Sequence, residues 1–419
     1  MSLHQISKRG DPGQRADPGQ GPNLSAIMRV QAMPPLRRAL LSREALFYAG
    51  GKKVAFGPRE ARLRKFLAVT GRGGMIAISL LLLAKRSFVG YKVSAKRSIP
   101  AALFVGIGAM RERTLRENVE AELGFAPHFV DQRTDLGYAG LPAPRLEQII
   151  KHWMRTIREA IAITGQREPV FGAMDTLSTL TMRLHELAYL MAWFENLRRL
   201  NPDISVSFST ADIPAHAACI LGMKVEYQQH GFLARHLVFP DFSTMVALTA
   251  LEGRHVAEQV SRLTVKIAAP HTISSHVEPT LAFIGDYGSH DPDPINSLVE
   301  SALAHGLHVV VRPHPRGDDG RWDGLRSNPN IIFDTNNRFE DFLDKWRPAF
   351  VASWFSTTLL DGLLAGAMPI TLSHDNDALA LPMCSMALSW PSERSQIEKS
   401  MLDENERQNI QKRFMKAIQ

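Results

Sequence analysis

The pattern that most constrains this chain is an alternation of short apolar runs with longer helix-patterned segments, repeated in two rounds. Residues 101–109 (AALFVGIGA) form an apolar run closing on glycine, and 110–123 is a charge-rich helix stopped by Gly124. Over 145–163, Leu146, Ile149, Ile150, Trp153, Met154, Ile157 and Ile161 fall on one side at helical spacing, and 174–200 continues as a long apolar helix broken at Pro202-Asp203. Strand 204–208, helix 212–221 closed by Gly222, and strand 223–227 complete the first round. The second round reads as strand 281–284, helix 294–305, strands 307–311 and 331–333, helix 339–346, strand 349–352, helix 356–365 and strand 368–372. Continuous apolar strands separated by helices predict an α/β fold with parallel sheets covered on their faces.

The 419 residues accordingly divide into a disordered tail over 1–28, a first domain over 29–268, a linker over 269–280 and a second domain over 281–392. A polar helix over 393–419 is placed to cross back over the first domain. The tail carries the repeat Asp11-Pro12-Gly13-Gln14 and Asp17-Pro18-Gly19-Gln20 and lacks the apolar core of a secretory leader. Two cysteines, Cys219 and Cys384, exclude a disulfide framework and a four-cysteine zinc site, which fits a reducing cytosol.

The net charge of +7 is unevenly spread. Residues 29–97 hold 16 Lys and Arg against two acids, Glu44 and Glu60, a local excess of +14. Such a block is drawn to polyanions: a membrane surface, an anionic lipid-linked substrate or nucleic acid. Nucleic acid is disfavoured because there is no recognition motif and few aromatics lie among the cations. The longest apolar stretch, 75–84, has ten residues where about 20 are needed to span a bilayer, so no crossing is expected. That stretch either lies in the headgroup region or forms a buried helix of the first domain.

Three places carry chemistry. The run His308-Val309-Val310-Val311-Arg312-Pro313-His314-Pro315-Arg316 is a buried strand ending in two prolines that bracket a histidine. It either grips a phosphate through Arg312 and His314 or is a proline-terminated loop with solvated cations. Ser353-Trp354-Phe355-Ser356-Thr357-Thr358 crowds hydroxyls at a helix start, which suits an anion or simple capping, and Asp361 follows where it can reach a ribose hydroxyl. In the first domain His230, in Gln229-His230-Gly231, has a pKa suited to general-base work or serves as a structural hydrogen-bonding residue. Asp175 and Asp212 stand near helix starts as bases or as first-turn charges, and His216 can face inward.

The combination resembles the GT-B superfamily of glycosyltransferases, and within it the bacterial capsule, lipopolysaccharide and teichoic-acid group that uses cytidine-activated donors. In that group a His-Pro motif, similar to His314-Pro315, and a Ser/Thr-rich turn, similar to 353–358, hold the nucleotide phosphate, and an acid like Asp361 meets the ribose. A His-Gly turn similar to His230-Gly231 recurs in its first domain. The likeness covers roughly 203–372. It implies two Rossmann-like domains facing across a cleft, with a basic helical amino-terminal segment. Gly285, Arg312, His314, Ser353, Ser356, Thr357 and Asp361 would bind the nucleotide, and His230, Asp175 and His314 would be catalytic. The implied activity is inverting, metal-independent transfer of a sugar such as Kdo, or of a polyol phosphate, from a CMP- or CDP-linked donor to a glycan or lipid-linked acceptor. The alternatives are a UDP-sugar-dependent GT-B transferase, a sugar-nucleotide epimerase, and a non-catalytic polyanion- or membrane-binding scaffold. No cofactor beyond that donor substrate is implied, and the enzyme would be cytoplasmic, peripheral to the inner face of an anionic membrane. The acid-acid-glycine motif of bacterial sialyltransferases is missing from the first domain, which weighs against sialyl transfer.

Overall fold

The computed structural model describes residues 24–49, 58–93, 99–108, 112–132, 141–166, 173–233, 237–268, 277–285, 293–314, 322–335, 339–354, 357–372 and 386–418. Ser356, Pro315, Arg316, Lys52, Lys53, Cys384, the tail repeat and most of the expected linker lie outside these residues. The chain separates into two compact units. The first comprises residues up to His230, together with His236–Ala247 and Arg254–Lys266; the second comprises Gly231–Arg235, Leu248–Gly253 and Ile267–Gln419.

The first unit is built on strands β1 (Ala102–Gly106), β2 (His128–Asp131), β3 (Ser205–Phe208), β4 (Val225–Gln228), β5 (Thr244–Ala247) and β6 (Thr264–Ile267), in the order β2-β1-β3-β4-β5-β6. Pairings from β2 through β5 are parallel. β1 is buried at all five positions, as expected of an interior parallel strand covered on both faces, while the edge strand β6 is largely exposed. β2, β5 and β6 escape the sequence reading because short edge or near-edge strands carry too few apolar residues to stand out.

Helices α1 (Leu24–Gln31), α2 (Pro35–Ala49), α3 (Pro58–Val93), α4 (Arg113–Leu123), α5 (Leu146–Thr164), α6 (Ala173–Leu200) and α7 (Ile213–Ile220) belong to the same unit. α6 is its hub. Seventeen of its 28 residues are buried, and α2, α3, α5 and α7 all pack on it. A helix apolar around most of its circumference is stable only when enclosed in this way. α4 ends on Gly124, whose φ of 76° is the left-handed conformation that glycine accepts without strain.

Two expectations for the amino-terminal segment are corrected. The ten apolar residues 75–84 are the middle of a much longer helix, and Ala61–Val89 is long and apolar enough to cross a bilayer by length and composition alone. Only 28% of its most apolar window is buried, and it is interrupted at Gly71, where the backbone leaves the helical region. Of the nine cations in 29–97 whose side chains are described, five are engaged within the unit. Arg37 pairs with Glu159, Arg38 with Asp241, Arg64 with Asp175 and Arg86 with Glu186, while Arg72 donates to the Thr164 carbonyl. A count of charges along the sequence cannot register partners that lie 92 to 203 residues away.

The second unit contains β7 (Glu278–Ile284), β8 (His308–Arg312), β9 (Ile331–Phe333), β10 (Pro348–Ser353), β11 (Met368–Thr371) and β12 (Leu388–Ser389), in the order β12-β11-β10-β7-β8-β9 and parallel throughout. Helices within this unit include α9 (Asp293–Ala304), α10 (Asp323–Arg326), α11 (Phe339–Trp346) and α12 (Thr358–Leu364), after α8 (Ala250–Ala257) earlier in the chain. The carboxyl-terminal residues form two helices rather than one, α13 (Arg394–Leu402) and α14 (Glu404–Ile418). They pack on the second unit's own core through Ile397, Met401, Ile410, Phe414 and Ile418, which corrects the expectation of a single helix returning to the first domain.

His216 on α7 is a core residue, 1% exposed. Burial, helped by the nearby Arg38 charge, pushes its pKa down to about 3. The unfolded chain therefore binds a proton that the folded chain refuses between that value and about 6.5, so stability falls as pH drops through this window. Between pH 7 and 5 the wild type should lose about 2 kcal/mol more unfolding free energy than His216→Asn, read from urea titrations at the two pH values. Equal losses would show that His216 takes up its proton while folded.

Candidate functional site

Parallel sheets bind ligands where the strand order reverses, outside the carboxyl ends of the two strands that flank the reversal. In the second sheet those strands are β7 and β10, since chain order runs outward from β7 through β8 to β9 and from β10 through β11 to β12. Gly285 follows β7 directly. Its N–H donates to the Arg312 carbonyl at 2.8 Å, which ties the exit of β7 to the end of β8. A Cβ at Gly285 would stand 2.5 Å from the His314 backbone nitrogen and 3.0 Å from the Pro313 carbonyl carbon. The Pro313-His314 turn can close over the end of β7 only because residue 285 has no side chain.

Gly285, Arg312, His314 and Ser353 are therefore brought to three adjacent strand ends, β8, β7 and β10. Neighbouring strands lie about 4.8 Å apart, so the exits of β8 and β10 are separated by about 10 Å with the glycine between them. Arg312 lies over the Phe339 ring, 5.5 Å from its centroid, which fixes the direction of its guanidinium. Ser353 is fully buried, and its hydroxyl donates to the Ile284 carbonyl at 2.9 Å. It locks β10 to β7 beneath the site, which differs from the ligand contact expected of it. Thr371 makes a similar tie, donating to the Trp354 carbonyl at 2.9 Å.

Thr357 occupies the capping position of α12, but its side chain makes no capping bond. Asp361 is half-buried on the same helix, which approaches β10 closely: a Cβ on Gly362 would stand 2.8 Å from a Val351 methyl. Sequence and fold thus place Thr357 and Asp361 on the segment leaving β10, one strand from Gly285.

In the first sheet the reversal lies between β1 and β3. Here the structure presents a residue that sequence reasoning missed. Glu112, 1% exposed, places its carboxylate across the gap, accepting from the Ile107 N–H at 2.9 Å and from the Ser209 hydroxyl at 2.5 Å. Gly106 makes this possible, because a Cβ there would fall 1.7 Å from Glu112 Oε2. The available signal was the pair of glycines, Gly106 and Gly108, closing a strand just before an acid at a helix start.

His230 is attached to the same construction. Its Nδ1 lies 2.6 Å from the Ser209 carbonyl oxygen. A carbonyl only accepts, so Nδ1 carries the proton, and in the neutral ring Nε2 then holds the lone pair. That is the tautomer a general base needs. Asp175 is held elsewhere: in the first turn of α6 its carboxylate meets the Arg64 guanidinium at 2.5 Å, an ion pair that fastens α3 to α6. Asp212 is the cap of α7, accepting from the Ile213 N–H. Among the described residues no group of three His, Cys, Asp or Glu is placed to hold a metal ion.

No family model matches this sequence, and no curated protein does. Solved structures of similar shape include a Staphylococcus aureus MnaA co-structure with UDP, 11% identical, covering 74% of this chain and 90% of that one with a TM-score of 0.44. A UDP-N-acetylglucosamine 2-epimerase from Rickettsia bellii is 11% identical, with 76% and 95% covered and a TM-score of 0.42. The glycosyltransferase SnogD from Streptomyces nogalater is 12% identical, with 76% and 94% covered and a TM-score of 0.43.

Gly285→Ala should lower unfolding free energy by about 1–3 kcal/mol, because backbone rather than a flexible side chain must give way. Gly324→Ala, in the same unit with nothing within 4 Å of the new methyl, is the control and should leave stability close to wild type. Denaturant titration of both variants decides it, and equal stabilities would mean that the 313–314 turn adapts freely.

Proposed function

We propose that this chain is an inverting glycosyltransferase of bacterial surface polysaccharide synthesis. It moves a sugar such as Kdo, or a polyol phosphate, from a CMP- or CDP-activated donor to a glycan or lipid-linked acceptor at the inner face of the cytoplasmic membrane. The observation that carries this reading is the close seating of the Pro313-His314 turn on Gly285, at the reversal point of the second sheet, which brings Arg312 and His314 to the adjoining strand end. Open strand ends flanked by cationic and imidazole groups suit a nucleotide's phosphates, whose charge they balance with charge-assisted hydrogen bonds.

In this mechanism His230 takes the acceptor hydroxyl proton through Nε2 as the oxygen attacks the anomeric carbon, or the phosphorus of a polyol phosphate. The bond to the leaving nucleotide breaks in the same step. Arg312 and His314 stabilise negative charge accumulating on the departing phosphate, and Thr357 adds a hydroxyl donor. Stabilising charge that develops only in the transition state raises turnover without tightening the ground state. Asp361 faces the ribose. Glu112 is assigned a positioning role: it holds Ser209, whose carbonyl holds the imidazole.

A thermal-shift panel of CMP, CDP, UDP and GDP tests the donor class. Cytidine nucleotides should give the largest stabilisation, which grows with the logarithm of ligand concentration above Kd. A larger UDP shift would move the assignment to a uridine donor, and no shift with any nucleotide would remove the transferase reading. His314→Ala should lower kcat by about 10²–10³-fold with a smaller change in KM, as expected for a group acting mainly on the leaving phosphate. His230→Ala should cost about 10²–10⁴-fold and flatten the acidic limb of the pH–rate profile; an unchanged limb would mean that another residue is the base.

A further inference from the structure

The helical layer of the first unit carries more apolar surface than its core uses. α3 and α5 lie side by side on α6: Leu83 of α3 joins Ile149 and Trp153 of α5 against Ala188, Tyr189 and Ala192 of α6. They run antiparallel, since Arg72 reaches the Thr164 carbonyl near the end of α5 while Leu83 meets Ile149 near its start. The spacing in α5 places its apolar residues on one side of the helix. That side is divided, with Ile149 packed on α6, Ile157 buried, and Leu146, Ile150, Met154 and Ile161 exposed by 62%, 51%, 43% and 40%. α3 shows the same surplus, with Phe66, Val69, Leu80 and Leu81 exposed by 46%, 87%, 47% and 70%. Clustered apolar exposure on this scale marks an interaction surface rather than ordinary scatter.

The cations around it identify the partner. Arg64, Arg72 and Arg86 turn inward to Asp175, to the Thr164 carbonyl and to Glu186 with the Tyr189 ring. Arg62 and Lys65 share the exposed side of α3 with Phe66 and Val69, and Lys85 flanks Leu81 one turn on. Lys151, Arg155 and Arg158 line the edge of the α5 stripe, with Lys151 also meeting Glu195. Apolar side chains framed by exposed cations match a bilayer whose headgroups are anionic and whose interior begins just beneath them. A second copy of the chain is a poorer match, because it would set one cationic frame against another. Spanning is disfavoured by the break at Gly71 and by the attachment of α3 to α6 through Leu83, Arg64 and Arg86.

We propose that α3 and α5 together form an in-plane membrane-docking face, inserting Phe66, Val69, Leu80, Leu81, Ile150 and Met154 below the headgroups of anionic lipid. This deepens the peripheral location proposed above and rests on that location, not on the transfer chemistry. The face leaves the helices on α6 and brings the whole first unit to the surface where a lipid-linked acceptor resides.

Flotation of the full chain with vesicles of phosphatidylcholine and phosphatidylglycerol, against phosphatidylcholine alone, is the test. Wild type should float with the anionic vesicles. Leu81→Glu with Ile150→Glu should weaken binding by about tenfold or more, and so should Lys85→Glu with Arg155→Glu and Arg158→Glu. Melting curves by circular dichroism check that each variant is folded, and the milder Leu81→Ser with Ile150→Ser repeats the apolar arm should the glutamates perturb it. Thermal shifts with nucleotide should persist in all of them, so that a failure of docking is separable from a failure of the transferase reading. The proposal is overturned by wild type that ignores anionic vesicles, by apolar variants that float like wild type, by a dimer that Leu81→Glu disperses, or by membrane retention through alkaline carbonate washing.

Discussion

Everything that gives this chain a site depends on glycine standing where the first strand of each sheet ends. In the second sheet Gly285 lets the Pro313-His314 backbone close in at a distance no Cβ allows, and in the first sheet Gly106 admits the Glu112 carboxylate. The two sheets differ in strand order, yet each places its glycine at the reversal between outward-winding halves. At such a point neighbouring crossovers depart to opposite sides and leave the strand ends uncovered. A side chain there would displace the group that closes in on the strand end. Each glycine therefore lets another group close in at the reversal, the Pro313-His314 backbone in the second sheet and the Glu112 carboxylate in the first.

The amino-terminal segment illustrates how cations crowded in sequence are put to use in packing. Its arginines reach partners distant in sequence: Arg37 to Glu159, Arg38 to Asp241 and Arg64 to Asp175. These partly buried pairs hold α2 and α3 against the rest of the unit, where an unpaired charge would be costly. Among the described residues of this segment, the exposed cations Arg62, Lys65 and Lys85 stand beside apolar side chains of α3. An arrangement of this kind favours an interface with a charged skin and an apolar interior over a purely polyanionic partner.

The alternation of strands and helices was legible in the sequence because β1, β7, β8 and β10 are continuous apolar runs and because Gly124, Gly222 and Gly366 mark helix ends at positive φ. Of the edge strands β9 was legible, while β6, exposed at three of its four residues, and β12, two residues long, were not. His314, Arg312 and Gly285 were legible as a group because prolines and glycine punctuate the strand ends. Ser353 was misjudged from its neighbours: a hydroxyl in a Ser/Thr-rich turn suggests a ligand contact, but strand β10 extends through it and turns it into the sheet. Glu112 was passed over because an acid in a charge-rich helix looks solvated until Gly106 is seen to give it a buried seat. Apolar periodicity in α5 was legible as a pattern, but the exposure of Leu146, Ile150, Met154 and Ile161 was not, because periodicity says which side is apolar and not what covers it.

The burial of Glu112 implies an order of dependence within the first unit. A carboxylate withdrawn from water is tolerable only with donors in place, and here the Ile107 N–H and Ser209 hydroxyl supply them. Ile107 belongs to the loop leaving β1 and Ser209 to the loop leaving β3, so satisfying one side chain fixes two loops with respect to each other. Ser209 then presents its carbonyl to His230 from the opposite end of the same residue, and the imidazole inherits its orientation and its tautomer. Removing the carboxylate would leave the imidazole in place but release the loop that aims it. The geometry of His230 is thus set by a residue more than a hundred positions earlier, through contacts that exist only because Gly106 has no side chain.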